Sequence, residues 1–392
     1  MRTNRILFVG SYYPPVSGGS SMTLARLASS FPAGSAAIVC EHPKNFAGIH
    51  NAERPAGIPV WTVPALHRIL PGQTPSYLRK WAREHIGVVA RLVLKKAITK
   101  WNPTHIIGVY PSATLMRLTI QAAQECGSRF IPYFFDAPSA EIATLISGST
   151  VVLALTEGVR GTLEENACRN VILVPHVVPA PPESSSQTTN RTRLAQLLGS
   201  ELNHRHIIAH TGSVENLQRD GLLDLISALK GGRKMKSPLL VLSTPSPQEA
   251  EHCIGSNLID DSVRVVNLSP ADLVTLQQGS DVLFATVPLR GPDVAFGKTC
   301  FPTKILDYLY SGVPIVVRGP ADSVVCRHAG KNGYAAVVTE SGETALRDAL
   351  STLSENSELQ NLLVSNARSA AAQFESKVIV DTFHQALNAT VD

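Results

Sequence analysis

Cysteine is sparse and scattered. Cys40, Cys126, Cys168, Cys253, Cys300 and Cys326 never form a Cys-x-x-Cys pair and never join histidines at zinc spacing. That excludes a zinc module and a disulfide-stapled small domain, and core thiols in a reducing compartment are the simple account. No apolar run is long enough to span a bilayer, and the chain enters a strand pattern with no secretory leader ahead of it. The expected location is therefore cytoplasmic, free or peripheral at the inner face of a membrane. Excess charge is small too. A formal net charge of +4 implies no nucleic-acid partner. The Gly-x-Gly-x-x-Gly fingerprint of dinucleotide-binding domains is missing, and so is an Asp-x-Asp pair that would hold a metal ion.

What is present is a repeating alternation of short apolar strands and amphipathic helices. At 392 residues, two domains of ordinary size are expected. Arg5-Ile-Leu-Phe-Val-Gly10 reads as a buried parallel strand, Ser11 to Ser20 as a glycine-containing loop, and Met22 to Ala28 as a helix. Strand, loop, helix is the opening of a doubly wound α/β domain. Gly18 and Gly19 either let backbone N–H groups approach a phosphate or sugar, or simply make the turn. Further strands are expected at 36–40, 59–63, 105–110, 130–135, 151–155 and 171–175. Asp136 follows the strand at 130–135, at the edge where open α/β sheets place working residues; it binds an acceptor hydroxyl or caps the next turn. His176 reads as a structural histidine. The segment 79–100 carries seven basic residues interleaved with apolar ones. It is either a solvated helix packing on its own sheet or a helix lying on an anionic bilayer surface.

Pro179 to Asn190 is rich in proline and serine and lacks periodicity, which marks a linker. The expected division is 1–180 for the first domain, 181–193 for the linker, 194–374 for the second domain and 375–392 for a closing helix packed back on the first. The pattern restarts with His206-Ile-Ile-Ala-His-Thr-Gly212. Ser213 to Asp220 is expected to be a loop carrying Arg219, and Leu222 to Leu229 a helix. Strands are expected at 239–242, 263–266, 282–285 and 335–338. The stretch Phe301-Pro-Thr-Lys-Ile-Leu-Asp-Tyr-Leu-Tyr-Ser-Gly-Val-Pro-Ile-Val-Val317 reads as a short helix feeding a buried strand. Pro302 suits a first helical position and Gly312 a left-handed close. Thr303, Lys304 and Asp307 share a face by three- and four-residue spacing. With the free amides of the helix start, they suit a nucleotide diphosphate, Lys304 taking charge and Asp307 a ribose diol. Equally, Lys304 and Asp307 read as a surface pair worth about 0.2–0.5 kcal/mol.

The order of these parts resembles the GT-B glycosyltransferases, nearest the retaining group called glycosyltransferase family 4. The resemblance runs over almost the whole chain and rests on Phe8 to Gly19, Val171 to Val178, Thr211-Gly212 continuing to Arg219-Asp-Gly221, and Phe301 to Pro314. It implies two Rossmann-like doubly wound domains facing a central cleft. It also implies transfer of a sugar from a nucleotide-diphosphate donor to a hydroxyl acceptor with retention. The acceptor would be a glycan, a lipid-linked glycan or a natural product, as in polysaccharide biosynthesis. The nucleotide sugar is the co-substrate; no other cofactor and no metal is implied. The catalytic set would be Arg219, Lys304 and Asp136. Donor-binding positions would be Gly18, Gly19, Gly212, Ser213, Arg219, Thr299, Pro302, Thr303, Lys304 and Asp307. Three departures stand out: Ser213 replaces the family's arginine after glycine, Thr299 replaces the first of two spaced carboxylates, and Phe135 stands where a histidine is common. They leave open a GT-B-shaped relative that binds nucleotide sugar, or acts as a scaffold, without catalysis.

Overall fold

The structure is a computed structural model. It describes residues 5–14, 19–41, 55–64, 76–178, 186–231 and 237–389, with the backbone alone for 76–86. The chain divides into two compact units, Met1–Val177 with Ser376–Asp392, and Val178–Glu375.

The first unit is built on a seven-stranded sheet. Its strands are β1 (Ile6–Gly10), β2 (Ala36–Glu41), β3 (Val60–Val63), β4 (His105–Tyr110), β5 (Arg129–Phe134), β6 (Val152–Ala154) and β7 (Val171–Leu173), in the order β3-β2-β1-β4-β5-β6-β7. Every pairing is parallel, so each connection needs a crossover; the helices α1 (Gly19–Ser29), α2 (Ser76–Trp101), α3 (Ala113–Glu125), α4 (Ala140–Ile146) and α5 (Glu157–Glu165) supply five of the six, and most of the β2–β3 connection lies outside the described residues. β1 is apolar and buried at all five positions because helices cover both its faces. Ser112 and Thr156 start α3 and α5 by accepting bonds from Leu115 N and Val159 N. Strand order reverses between β1 and β4.

The basic helix α2 buries Ala90, Leu94, Ala97, Ile98 and Trp101 against Leu7, Val9 and Val63 of the sheet. Arg91 and Lys95 are both paired with Glu125 of α3. Among the described residues no helix is long and apolar enough to cross a membrane.

The second unit repeats the plan with β8 (His206–Thr211), β9 (Pro238–Ser243), β10 (Val263–Val266), β11 (Val282–Thr286), β12 (Ile315–Arg318) and β13 (Ala335–Val338), in the order β10-β9-β8-β11-β12-β13. Its helices are α6 (Gln187–Leu198), α7 (Asn216–Gly231), α8 (Pro247–Ile254), α9 (Pro270–Gly279), α10 (Val294–Thr299), α11 (Lys304–Leu309), α12 (Val324–Asn332), α13 (Glu343–Glu355) and α14 (Ser357–Ala371). One sheet face packs on α6, α11, α12 and α14 around Ile305, Leu309 and Val317. The other packs on α7, α8 and α13 around Leu225, Phe284 and Leu350. Here the order reverses between β8 and β11. The chain then returns to the first unit through α15 (Ser376–Asn388), whose Ile379, Phe383 and Leu387 join Phe8 and Phe31 in the first core.

Both sheets thus have the doubly wound α/β form that the alternation predicts. Three local expectations are corrected. Of the linker 181–193, residues 181–185 lie outside the described residues, but Gln187 onward is helix. Ser186 caps it at Thr189 N, and Gln187, Asn190 and Arg191 bond to Ser280, Gln278 and Gly279. The segment Ser213 to Asp220 is not all loop. Gln218 accepts from Glu215 N and the helix α7 begins at Asn216, so Arg219 and Asp220 are helical. Pro302 is not the first helical residue: Thr303 is the N-cap of α11, and Ile305 N and Leu306 N bond back three residues to Pro302 and Thr303 carbonyls.

Candidate functional site

In an open parallel sheet the helices on either side leave a crevice where strand order reverses, beyond the carboxyl ends of the strands. In the second unit that point lies beyond β8 and β11. β8 ends in His210 and Thr211, followed by Gly212 at φ +94°, a backbone conformation that glycine adopts without the clash a Cβ would bring. A Cβ placed on Gly212 would stand 3.6 Å from Cε and 3.7 Å from Nζ of Lys304. The first residue of α11 therefore lies over this turn.

Two side chains one turn apart on α11 fasten it there. Tyr308, wholly buried, has its hydroxyl 3.0 Å from Thr211 N and 3.1 Å from Thr211 Oγ1. Lys304 reaches His210, with 2.7 Å between Nζ and Nε2. His210 is fully buried, and its Nδ1 lies 3.0 Å from the carbonyl oxygen of Phe284 on β11. A carbonyl only accepts, so Nδ1 carries the proton and Nε2 presents its lone pair to the lysine. Burial holds the imidazole well below its usual pKa, reinforced by the neighbouring Lys304 charge, so the ring is neutral.

Lys304 is itself desolvated. Burial lowers its pKa to about 7, opposed in part by Glu215 and Cys300. Among the described residues no carboxylate forms an ion pair with it. A half-buried, desolvated amine at the edge of a sheet, held by a neutral acceptor and in no ion pair among the described residues, gains by the arrival of an anion.

The other expected positions fall around this pair unevenly. Ser213 is half-buried, and its backbone opposes part of the fall in the His210 pKa. Thr303 is the half-buried N-cap of α11, with no side-chain cap bond, and Pro302 precedes it. Asp307 is half-buried on α11, one turn beyond Lys304. The helix-start amides add less than expected, since α11 has only six residues and two of its first amides are used within its own opening turn. Arg219 sits in the first turn of α7, exposed, with Nε donating to the Cys253 carbonyl of α8 at 2.7 Å; no hydrogen bond or ion pair joins it to Lys304 among the described residues. Thr299 ends α10, with Oγ1 3.2 Å from the Phe296 carbonyl. Among the described residues no group of three or more His, Cys, Asp or Glu is placed to hold a metal ion.

In the first unit, Gly19 opens α1, and Gly18 lies outside the described residues. Asp136 stands two residues past the end of β5. Burial pushes its carboxyl pKa up, and among the described residues nothing bonds it. His176 has a structural contact, its Nδ1 3.0 Å from Thr23 Oγ1.

His210, Glu215 and Tyr308 were not among the expected site residues. Histidine one place before a strand-end Thr-Gly was a legible signal by the strand-end rule; Tyr308 is also part of the core.

No protein-family model matches the chain, and no curated protein matches it in sequence. Solved structures do match it in shape. HepE of Anabaena, crystallised with UDP, shares 15% identity at a TM-score of 0.69, covering 98% of this chain and 100% of that one. A glycosyltransferase from Rickettsia africae matches at 11% identity and a TM-score of 0.69, with 99% of each chain covered. A trehalose-6-phosphate synthase, studied as a case of glycosyl transfer with retention, matches at 12% identity and a TM-score of 0.65 over 97% of this chain and 98% of that one. The chain has the GT-B fold, the two-domain α/β architecture of these glycosyltransferases.

Proposed function

We propose that this protein is a glycosyltransferase that moves a sugar from a nucleotide-diphosphate donor to a hydroxyl acceptor. The observation that carries the reading is Lys304: a half-buried, desolvated amine with no ion-pair partner among the described residues, placed over Gly212 where strand order reverses. HepE, which shares the fold end to end, is solved with UDP and with UDP-glucose, so a nucleotide diphosphate is the anion we assign to this place.

In this reading the bond from the anomeric carbon to the donor phosphate breaks, and negative charge grows on the leaving diphosphate. Lys304 donates to it, with one or both terminal nitrogens of Arg219 as a second cation. Asp307 holds the ribose diol, and Gly212, Ser213, Thr299, Pro302 and Thr303 line the donor. The acceptor oxygen bonds to the anomeric carbon and its proton passes to the departing phosphate oxygen, which gives retention without a separate base. Asp136 serves the acceptor, and Gly18 and Gly19 stay with the donor set. No metal enters this scheme, and the nucleotide sugar is its only co-substrate. The acceptor class follows the family resemblance: a glycan, a lipid-linked glycan or a natural product. A cytoplasmic location fits the reading. Val88, Val89 and Leu92, exposed on α2 beside Lys96, support peripheral contact with an anionic membrane.

Thr299, where the family carries a carboxylate, favours a second reading, a nucleotide-sugar-binding protein without transfer. The test is a panel of UDP-, GDP- and dTDP-sugars, read first as thermal shift and then as nucleoside diphosphate released with and without acceptors. Shift with release that depends on acceptor supports transfer. Shift without release over a broad acceptor panel supports the second reading, and no shift with any donor contradicts both.

A further inference from the structure

We propose that His210 is a positioning residue for the donor diphosphate: its neutral ring, fixed by Nδ1–H on the Phe284 carbonyl, offers Nε2 to the Lys304 amine and holds that amine over Gly212. The proposal rests on the reading of Lys304 as a diphosphate group and adds a residue to that site.

Three observations support it. His210 is wholly buried, so it does not reach a ligand itself and can act only through what it touches. Both its ring nitrogens are engaged, one with β11 at 3.0 Å and one with α11 at 2.7 Å, so the ring links the reversal point of the sheet to the lysine. Its chemistry is also the appropriate one. A carboxylate in this place would satisfy the ammonium and compete with the phosphate, and an aliphatic side chain would let the amine turn away. A neutral acceptor orients the amine and leaves its charge for the ligand.

The groups that face this pair are few. Glu215, just before α7, and Cys300, before α11, act on Lys304, while the backbones of Phe284 and Ser213 act on His210. Since the amine without ligand titrates near neutrality, capture of a diphosphate should draw a proton onto Lys304. Loss of the Nε2 bond removes a contact that favours the ammonium, so the pH above which binding weakens should fall.

The experiment is calorimetric titration of UDP, GDP and dTDP from pH 6 to 9, in buffers of differing ionisation heat so that proton uptake is read directly. His210→Asn keeps a donor for Phe284 and deletes the acceptor; His210→Gln restores an acceptor near the Nε2 position. For the native chain we expect uptake approaching one proton at pH 8. His210→Asn should weaken the tightest of the three ligands by about tenfold or more at pH 7, about 1.4 kcal/mol, and should move the inflection to lower pH. His210→Gln should recover most of the affinity. Native affinity and inflection in His210→Asn would overturn the proposal, as would equal defects in both variants with the native inflection. If Lys304→Ala loses binding and His210→Asn does not, the role of His210 alone falls. If none of the three ligands binds the native chain, or Lys304→Ala binds as the native chain does, the reading of the site falls and this proposal with it.

Discussion

Arg318 and Asp224 form a buried ion pair that ties the end of β12 to the middle of α7. Arg318 is wholly buried and also bonds Asp220 at 3.2 Å. Asp224 in turn accepts from Arg290 and from Gly342 N, both at 2.9 Å, and Asp220 accepts from Leu289 N at 3.2 Å. One cluster thus fixes the carboxyl edge of the second sheet and the loop leading into α10. Removing one partner leaves a buried charge uncompensated, so Asp224→Ala should lower the unfolding free energy by about 3–5 kcal/mol. Urea unfolding of the variant checks this; a loss below about 1 kcal/mol would mean that the pair is solvated in solution.

Gly212 should tolerate no side chain. Its φ of +94° is costly to an L-residue, while a Cβ would stand in ordinary contact with Lys304, 3.6 Å from Cε. Gly212→Ala should cost about 1–2 kcal/mol of stability by strain alone and weaken nucleotide binding through the strained turn. Thermal melts and titration of UDP on the same preparation separate the two effects.

Lys304 should be a site where stability is given up for binding. Desolvation lowers its folded pKa to about 7, below the 10.5 usual for lysine. Between those values the unfolded chain binds more protons, so the lysine's contribution to stability rises with pH across that window and is least favourable below it. Lys304→Met should therefore raise Tm, by roughly 2–4 °C for each kcal/mol relieved in a domain of this size, and most at pH 6. The same variant should lose nucleotide binding. An unchanged or lower Tm at pH 6 would show that the amine is not desolvated.

Asp136 poses the same question in the first unit with the opposite sign. Burial raises its folded pKa above the usual carboxylate value, so its cost is full above the folded pKa and disappears as pH falls below the unfolded one. Asp136→Asn should be neutral or stabilising at pH 7 and should reduce turnover with acceptor while leaving donor affinity unchanged. A drop in donor affinity instead would remove Asp136 from the acceptor side.

Much of this was legible in the sequence, for identifiable reasons. Buried parallel strands are near-continuous apolar runs, so β1, β4, β10 and β13 could be read to within a residue of their observed ends. Lys304 was legible because it lies near the start of a helix that runs into such a strand. The start of α7 was not, because Ser213-Val-Glu-Asn-Leu carries no strong stop or start and the helix is set by Gln218 folding back on Glu215. Pro302 suggested a helix start that the structure places at Lys304, with Thr303 as its N-cap. The role of His210 needed the sheet order: only when β11 lies beside β8 does the ring acquire its Phe284 partner, and sequence spacing says nothing about which strands are neighbours.

On the proposed function, Lys304 serves sugar transfer from a nucleotide diphosphate. That role is tested most directly by the acceptor-dependent release of nucleoside diphosphate from the preferred donor by the native chain and by Lys304→Ala. The account predicts measurable release by the native chain and a loss of about a hundredfold or more in the variant. Release by Lys304→Ala within a few-fold of the native rate would contradict it.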